Sequence, residues 1–530
     1  MTADKNHTRP LGAQISHMLK SRGVDTIFGI PGVHNQEMYR GIEEAGITHV
    51  LARHEQGAGF MADGYARASG RPGVAYVITG PGLCNIMTPM GQAYSDSVSV
   101  LVLSSCLDET AAYRGQLHQM LDQRAAGDTV CDWSYEARDA QAAYGLIDRA
   151  MAEFATQRPR SKHIQVPIAA LEAEAPAAPE VPTPPARSHG DLPGGLAQRI
   201  MGAKKPMFVL GGGARGDVEA LRNALKTLGA ASFVTTAGKG IVGSDDPLHF
   251  GAYLPRPDSA AVIKGADLVV AVGTELAEVD LWRRELGNSG PLIRVDICPE
   301  VLSQPINSEA VMMESGAFFR ALNQSLEGHQ PKTGWTAQEV KATRARFRAE
   351  VDAERPGIAR VADALREVMP DDAMIYTDMT QFAYVSVELW DIEQPGHWHH
   401  PAGFGTLGYA MPAAIGGAMA RPGKPTVAIA GDYGFQYTVQ ELGAAVEMKL
   451  PLPILLWDNQ KLKEIEDSMV GAQIAPNSVI AHNPDFVALA KAYGARAEAP
   501  KTLGELQSAL TAAFEADGPT VIYMTGDMAD

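Results

Sequence analysis

Asp432 stands one residue beyond the apolar run Val427–Ala430, and Asn459 follows a second run, Ile454–Trp457, with Asp458 between. A carboxylate and an amide oxygen that each close a buried strand can sit side by side at one sheet edge. Two hard oxygens there suit Mg²⁺, which takes few protein ligands and keeps phosphate oxygens or water. Gly431, Tyr433, Gly434 and Phe435 surround the acid, and a helical pattern begins near Thr438. Backbone N–H groups at such a turn and helix start can face a phosphate. The chemistry in view is a magnesium-bridged diphosphate. A turn aspartate plus a helix-capping asparagine is the plainer reading, and on these two residues alone it is the stronger one.

A second acid stands apart from these. The stretch RHEQGAGFMADGYAR, Arg53 to Arg67, carries Glu55 after the strand-like HVLAR and ahead of a small-residue helix. Gly57, Ala58 and Gly59 permit close approach there, although an acid at a helix start is also favoured by the helix dipole alone. In GQLHQMLDQ, His118 and Gln119 are polar candidates, as is His34 after IPGV. Two further patterns carry less. GGGARG, Gly211 to Gly216, fits the dinucleotide spacing, but no acidic residue closes the next strand, ASFVTTAG. His397, His399 and His400 in HWHH could bind a transition metal, but no other ligand cluster supports them.

These residues need sheets to place them. Short apolar, β-branched runs alternate with helical patterns throughout: TIFGIPG, HVLARHE, GVAYVITGPG and VLVLSS early, PMFVLGGG, ADLVVAVGT and LIRVDI in the middle, AMIYTDM, TVAIAGD, LPILLWDNQ and PTVIYMTGD late. Continuous apolar strands between helices predict parallel sheets covered on both faces. The fold class is α/β, with three doubly wound parallel-sheet domains. Proline-rich Glu172–Gly195 and polar Glu327–Trp335 read as linkers. The expected domains are 1–173, 190–328 and 350–530. In such sheets ligands bind beyond the carboxyl ends of the strands.

Global properties narrow the class. With 45 Lys plus Arg against 62 Asp plus Glu, the 530-residue chain has a net charge of −17, which argues against nucleic acid or an anionic membrane as partner. The 4 cysteines are scattered without CxxC spacing, as in a reducing compartment. No run is long enough to span a bilayer, and the start lacks the apolar stretch of a signal peptide. The expectation is a cytoplasmic protein.

Gly431-Asp432 with Asn459 near the end of a segment of this length resembles the diphosphate motif of thiamine-diphosphate enzymes. The family pattern is GDG ending in NN; here Tyr433 replaces the second glycine and Asp458 the first asparagine. The resemblance implies Mg²⁺ held by Asp432, Asn459 and the Lys461 carbonyl, with Gly431, Tyr433 and Gly434 close to the diphosphate. The Glu55 segment resembles the family's catalytic glutamate segment, which implies a hydrogen bond from Glu55 to a pyrimidine nitrogen. FGIPG, with Pro31 and Gly32, and TGPGLCN, with Gly82 and Asn85, resemble loops lining the pyrimidine. TDMTQ, with Thr380 and Gln381, resembles a diphosphate-side loop. GFGTLGYAMPAAIGGA resembles the segment that bends the cofactor, where Gly405 would offer its carbonyl and Leu407 would wedge between the rings.

The resemblance covers nearly the whole chain, in family order. GIPGVHN, RHEQGAGFMADGYAR, GQLHQMLDQRA and GDYGFQYTVQEL are most similar to 5-guanidino-2-oxopentanoate decarboxylases, beside the acetolactate synthase branch. The implied activity is non-oxidative decarboxylation of a 2-oxo acid to an aldehyde; the alternative is a carboligase or lyase that forms or cleaves acyloins. His118 and Gln119 fall where some decarboxylases carry paired histidines and acetolactate synthases a Phe-Gln pair, so they join Glu55 as catalytic candidates, with a solvated histidine an equal reading. A guanidinium tail calls for a carboxylate, and Glu464, Glu466 and Asp467 lie just past the magnesium loop; none is assigned. The family further implies a homodimer or dimer of dimers, with first and third domains of different subunits meeting at the site.

Overall fold

The computed structural model describes residues 8–108, 114–182, 190–305, 307–331, 334–480 and 482–529. Residues 183–189 of the proline-rich stretch and 332–333 of the polar one lie outside them. The architecture is α/β throughout, as expected, with three parallel sheets flanked by helices.

The first sheet has six strands: β1 (Thr26–Gly29), β2 (Thr48–Leu51), β3 (Gly73–Val77), β4 (Val100–Cys106), β5 (Ser134–Glu136) and β6 (Lys162–Pro167), in spatial order β2-β1-β3-β4-β6-β5. The second has five: β7 (Pro206–Leu210), β8 (Ala231–Val234), β9 (Leu268–Val272), β10 (Leu292–Asp296) and β11 (Glu309–Met312), in order β8-β7-β9-β10-β11. The third again has six: β12 (Met374–Thr377), β13 (Trp398–His399), β14 (Thr426–Gly431), β15 (Pro453–Asp458), β16 (Arg496–Glu498) and β17 (Thr520–Thr525), in order β13-β12-β14-β15-β17-β16. Every pairing within these sheets is parallel. Strands β3, β4, β14 and β15 are buried along their whole length, which is why their sequences are near-continuous apolar runs.

Counted from its own first strand, the third sheet repeats the order of the first. The helices after the second strand of each sheet, α1 (Glu55–Ser69) and α2 (Ala410–Ala420), pack on one another. Their contact is reciprocal: a Cβ at Gly64 would lie 1.9 Å from the Ala413 carbonyl oxygen, and one at Gly416 would lie 1.9 Å from that of Met61. Only glycine lets backbone rest on backbone at this distance. Tyr376 donates to the Gly64 carbonyl at 2.8 Å, and Tyr409 to Asp63 at 2.7 Å. One apolar core therefore runs through the first and third units. The second unit is tied to the third by buried Arg256 on Glu388 and by Lys239, which donates to the Val387 and Trp390 carbonyls.

A helical stretch does begin near Thr438, as a 3-10 turn, Val439–Glu441, that runs into the helix Leu442–Glu447. A further short helix, α3 (Asp432–Tyr437), precedes it and starts directly from Gly431. The Thr438 hydroxyl turns back to the Gly408 carbonyl at 2.9 Å between the two. The added helix brings Asp432 into a first turn. Among the described residues no helix is long and apolar enough to cross a membrane.

Candidate active site

At the carboxyl edge of the first sheet, β2 runs out at Leu51 and α1 begins at Glu55, which is 8% exposed. His54 caps this helix, its ring nitrogen accepting from Gln56 N–H at 3.1 Å. Asn85 donates to Glu55 Oε2 at 2.8 Å. A Cβ at Gly82 would stand 3.5 Å from Glu55 Oε1, and those at Gly82 and Gly32 would both meet Ile78. Pro31 is exposed, and the Gly32 N–H is held by Asn35 at 2.7 Å. His118 belongs to the same edge: its carbonyl lies against Gly80, and its Nδ1 stands 3.3 Å from Nδ1 of His34. Burial and the neighbouring His118 hold His34 below its ordinary value. Gln119 accepts from Gln116 N–H at 3.3 Å. The structure thus gathers Glu55, Gly32, Gly82, Asn85 and His118 at one edge.

At the equivalent edge of the third sheet, the register pairs Gly431 with Trp457, so Asp432 and Asp458 leave adjacent strands side by side. Burial raises the Asp432 carboxyl to about 6, opposed by a hydrogen bond from Asn483 and reinforced by the charge of Asp458. Asn459 donates to Gln381 at 3.3 Å, and its Oδ1 accepts from Lys461 N–H at 3.2 Å. Gln381 in turn donates to Glu464 at 2.9 Å. Thr380 is buried, and Cβ atoms at Gly431 and Gly434 would meet Thr380 and Asp378. Tyr433 is half-buried, so this edge accepts its bulk without closing over it. The available donors, a carboxylate, an amide and a backbone carbonyl, are oxygens on neighbouring strand ends, and a helix start adjoins them. That set fits a magnesium-bound diphosphate.

The segment from Gly403 joins the third-sheet edge to the far end of the helix Pro81–Ser95, where Gly403 N–H donates to Asp96 at 2.8 Å. Gly405 and Gly408 adopt φ +68° and +84°, in the left-handed region where glycine is at ease. Gly408 N–H donates to the buried Asp378 carboxylate at 2.9 Å. Burial, opposed by several backbone N–H groups, raises Asp378 to about 6. Thr406 donates to Gln92 at 2.8 Å. Leu407, half-buried, is held between these two anchors.

Three polar residues at these edges carry no assignment from the sequence. Asp378 lies in TDMTQ and Glu441 in TVQEL, both matched as segments only. Asn483 lies 24 positions past Asn459 in a polar stretch with no motif. Glu441 Oε1 accepts from His54 N–H at 2.9 Å and from Arg53 N–H at 3.1 Å, joining the third unit to the loop before Glu55. The three carboxylates past the magnesium loop are already engaged. Glu464 holds Arg355 at 3.0 and 3.1 Å, Glu466 holds Lys461 at 3.1 Å, and Asp467 holds Lys463. The GGGARG loop forms a 3-10 turn, Gly212–Arg215, and Glu314 accepts from Gly316 and Ala317 N–H groups at the helix start beside it. Glu314 thus stands against Gly216 of this loop. Of HWHH, Trp398 and His399 form β13 and His400 pairs with Thr377 at 2.8 Å; among the described residues no cluster of metal-binding side chains forms.

Comparison with known proteins identifies the family. Residues 9–126 match the thiamine pyrophosphate enzyme N-terminal TPP binding domain, 195–322 the central domain and 378–524 the C-terminal TPP binding domain. A probable 2-ketoarginine decarboxylase of Pseudomonas aeruginosa is 42% identical over 98% of this chain and 94% of its own. Acetolactate synthase isozyme 2 large subunit of Escherichia coli is 28% identical over 97% of this chain and 95% of its own. Isozyme 3 of the same organism is also 28% identical, over 94% and 91%.

Proposed function

Because the chain belongs to the thiamine pyrophosphate enzymes, we propose that its two sheet edges act together in the non-oxidative decarboxylation of 5-guanidino-2-oxopentanoate, also called 2-ketoarginine. The observation that carries this reading is the identity of 42% along nearly the whole chain to a probable 2-ketoarginine decarboxylase, with Glu55, Asp432 and Asn459 all present.

Each residue has a role in this reading. Asp432, Asn459 and the Lys461 carbonyl hold Mg²⁺, and Gly431, Tyr433, Gly434, Thr380 and Gln381 border the diphosphate. Pro31, Gly32, Gly82 and Asn85 line the pyrimidine, with Asn85 steering the Glu55 carboxyl toward a ring nitrogen, where it holds or moves a proton. The Gly405 carbonyl and the Leu407 side chain keep the cofactor bent, which supplies proximity. Bound thiamine diphosphate would supply the nucleophilic carbon and the electron sink that takes the electron pair left when CO₂ departs from the substrate. The carbon that loses CO₂ needs one proton before aldehyde leaves, and in this reading His118, with Gln119 beside it, gives that proton.

The site is formed by two chains related by a two-fold axis. Apolar side chains stand exposed at both edges: Val33, Leu117 and Leu121 at the first, Tyr437, Ile465 and Val470 at the third. A second copy would cover them. The 4 cysteines are unpaired, in keeping with the reducing cytoplasm.

The test is a decarboxylation screen over 2-oxo acids. The guanidino acid should exceed pyruvate in kcat/KM; preference for pyruvate with acetolactate as product would support the acetolactate synthase reading. Assembly is tested by mixing Glu55→Gln and Asp432→Ala chains. With shared sites one site of the mixed dimer receives both lesions and the other neither, so activity returns. With sites built within single chains the mixture stays inactive.

A further inference from the structure

The family's paired asparagines are replaced here by Asp458-Asn459, and the structure shows what surrounds the exchanged residue. Three donors converge on Asp458. Gln460 N–H and Asn483 Nδ2 reach its Oδ1 at 2.8 and 2.9 Å, and the Tyr523 hydroxyl reaches its Oδ2 at 2.8 Å. A carboxylate accepts all three and offers no competing donor. Asn483 does more than satisfy Asp458. The same Nδ2 donates to Asp432 Oδ2 at 2.7 Å, so one NH₂ group bridges the two acids, one hydrogen to each. The amide cannot turn over freely, because Gln436 Nε2 donates to its Oδ1 at 3.1 Å and to the Asp432 carbonyl at 3.0 Å.

We propose that Asn483 is the positioning residue of the magnesium site, an amide clamp that bridges Asp432 and Asp458 and, by engaging Oδ2 of Asp432, leaves its Oδ1 for the cation. The inference rests on the reading of Asp432 as a metal ligand. Its physical logic is direct. Two carboxylates leaving adjacent strands repel one another, and without a shared donor the nearer remedy is rotation of Asp432 or uptake of a proton. Engaging Oδ2 leaves Oδ1 for the metal, as partners of ligating carboxylates do generally, and loss of such partners costs about 10–100-fold in metal affinity. Aspartate at 483 would add a third negative charge, and leucine would remove the donor. Only a side-chain amide of this length serves both acids and is held by Gln436.

The experiment is calorimetric titration of Mg²⁺ into metal-free protein with saturating thiamine diphosphate. Asn483→Ala should raise the Kd for Mg²⁺ about 10–100-fold while the melting temperature of the metal-free protein stays near wild type. In turnover, the apparent KM for Mg²⁺ should rise far more than kcat at saturating Mg²⁺ falls. Asp432→Ala should abolish measurable binding. Wild-type affinity in a folded Asn483→Ala, with binding lost in Asp432→Ala, overturns the clamp alone. Wild-type affinity in Asp432→Ala overturns the metal reading itself. If Asn483→Ala does not fold, Gln436→Met decides: it keeps Asn483 and removes the group that orients it. A weaker, intermediate affinity supports the clamp, and an unchanged one overturns it.

Discussion

At the carboxyl edge of the first sheet Glu55 keeps company with one amide, Asn85, and with glycines; at the same edge of the third sheet Asp432 stands in a chain of polar groups running through Asn483, Asp458, Gln436 and Tyr523. The two sheets share one strand order, so topology did not decide this. Strand order decides only where an edge lies, and the residues after each strand decide what the edge does. The two arrangements suit two tasks. An acid that moves a proton needs a partner that aims it and little that fixes its charge. An acid that holds a cation needs every other lone pair engaged, so that one oxygen is left in one direction.

The sharpest way to break this division is to remove the Glu55 carboxyl. Glu55→Gln should lower kcat by about 10²–10⁴, with thiamine-diphosphate affinity near wild type because the diphosphate edge is untouched. Calorimetry and single-turnover rates measure the two separately. Loss of cofactor affinity comparable to that of Asp432→Ala would show that the edges do not divide the work.

The next effect falls on the joint between the two units. Gly64→Ala puts a Cβ 1.9 Å from the Ala413 oxygen, a backbone atom that cannot swing aside, and overpacking of this kind costs about 3 kcal/mol. Chemical denaturation reads it. Near-wild-type stability would mean that the two units are joined more loosely than their contact implies.

The smallest effect concerns Glu441, an acid of the third unit that acts on the edge of the first. Burial pushes Glu441 up to about 7, although the Arg53 and His54 N–H groups favour its carboxylate. The folded value lies above the ordinary value of about 4.3, so between these the native state binds the extra proton. The protonated group's contribution is present below about 4.3 and is lost as pH rises through about 7. Wild type should therefore lose stability against Glu441→Gln between about pH 4 and 7. Parallel unfolding curves would show the carboxylate already ionised in the fold.

The interior of each sheet was legible because its strands are continuous apolar runs. β6, Lys162–Pro167, was not, since it reads as polar although it is wholly buried. Lys162 is neutralised by Asp132 and Glu153, and His163 sits between Ser104 and Ser134; partners far along the chain supply what the local pattern lacks. β13 and β16 have 2 and 3 residues, too few for any period. In the candidate site, Glu55, Asp432 and Asn459 stood out as polar residues after strands, and their expected roles came only from the resemblance of their segments to the family's motifs. Asn483 and Glu441 did not stand out. Their roles exist only through hydrogen bonds made after folding, and Asn483 sits in a polar stretch that resembles any loop.

The reciprocal glycines between α1 and α2 also have a mechanical consequence. A hinge needs a compliant layer of side chains between the bodies it joins, and backbone laid on backbone leaves none at this crossing. The first and third units of one chain therefore move as a single rigid lever. Breathing around a substrate falls to segments outside that lever. The helix Lys463–Gly471, which buries none of its residues within the chain and is tethered through Glu464 to Arg355 and Gln381, is one such segment beside Asn459. Turnover limited by its excursions would slow with solvent viscosity, and would be insensitive to anything that stiffens the block behind it.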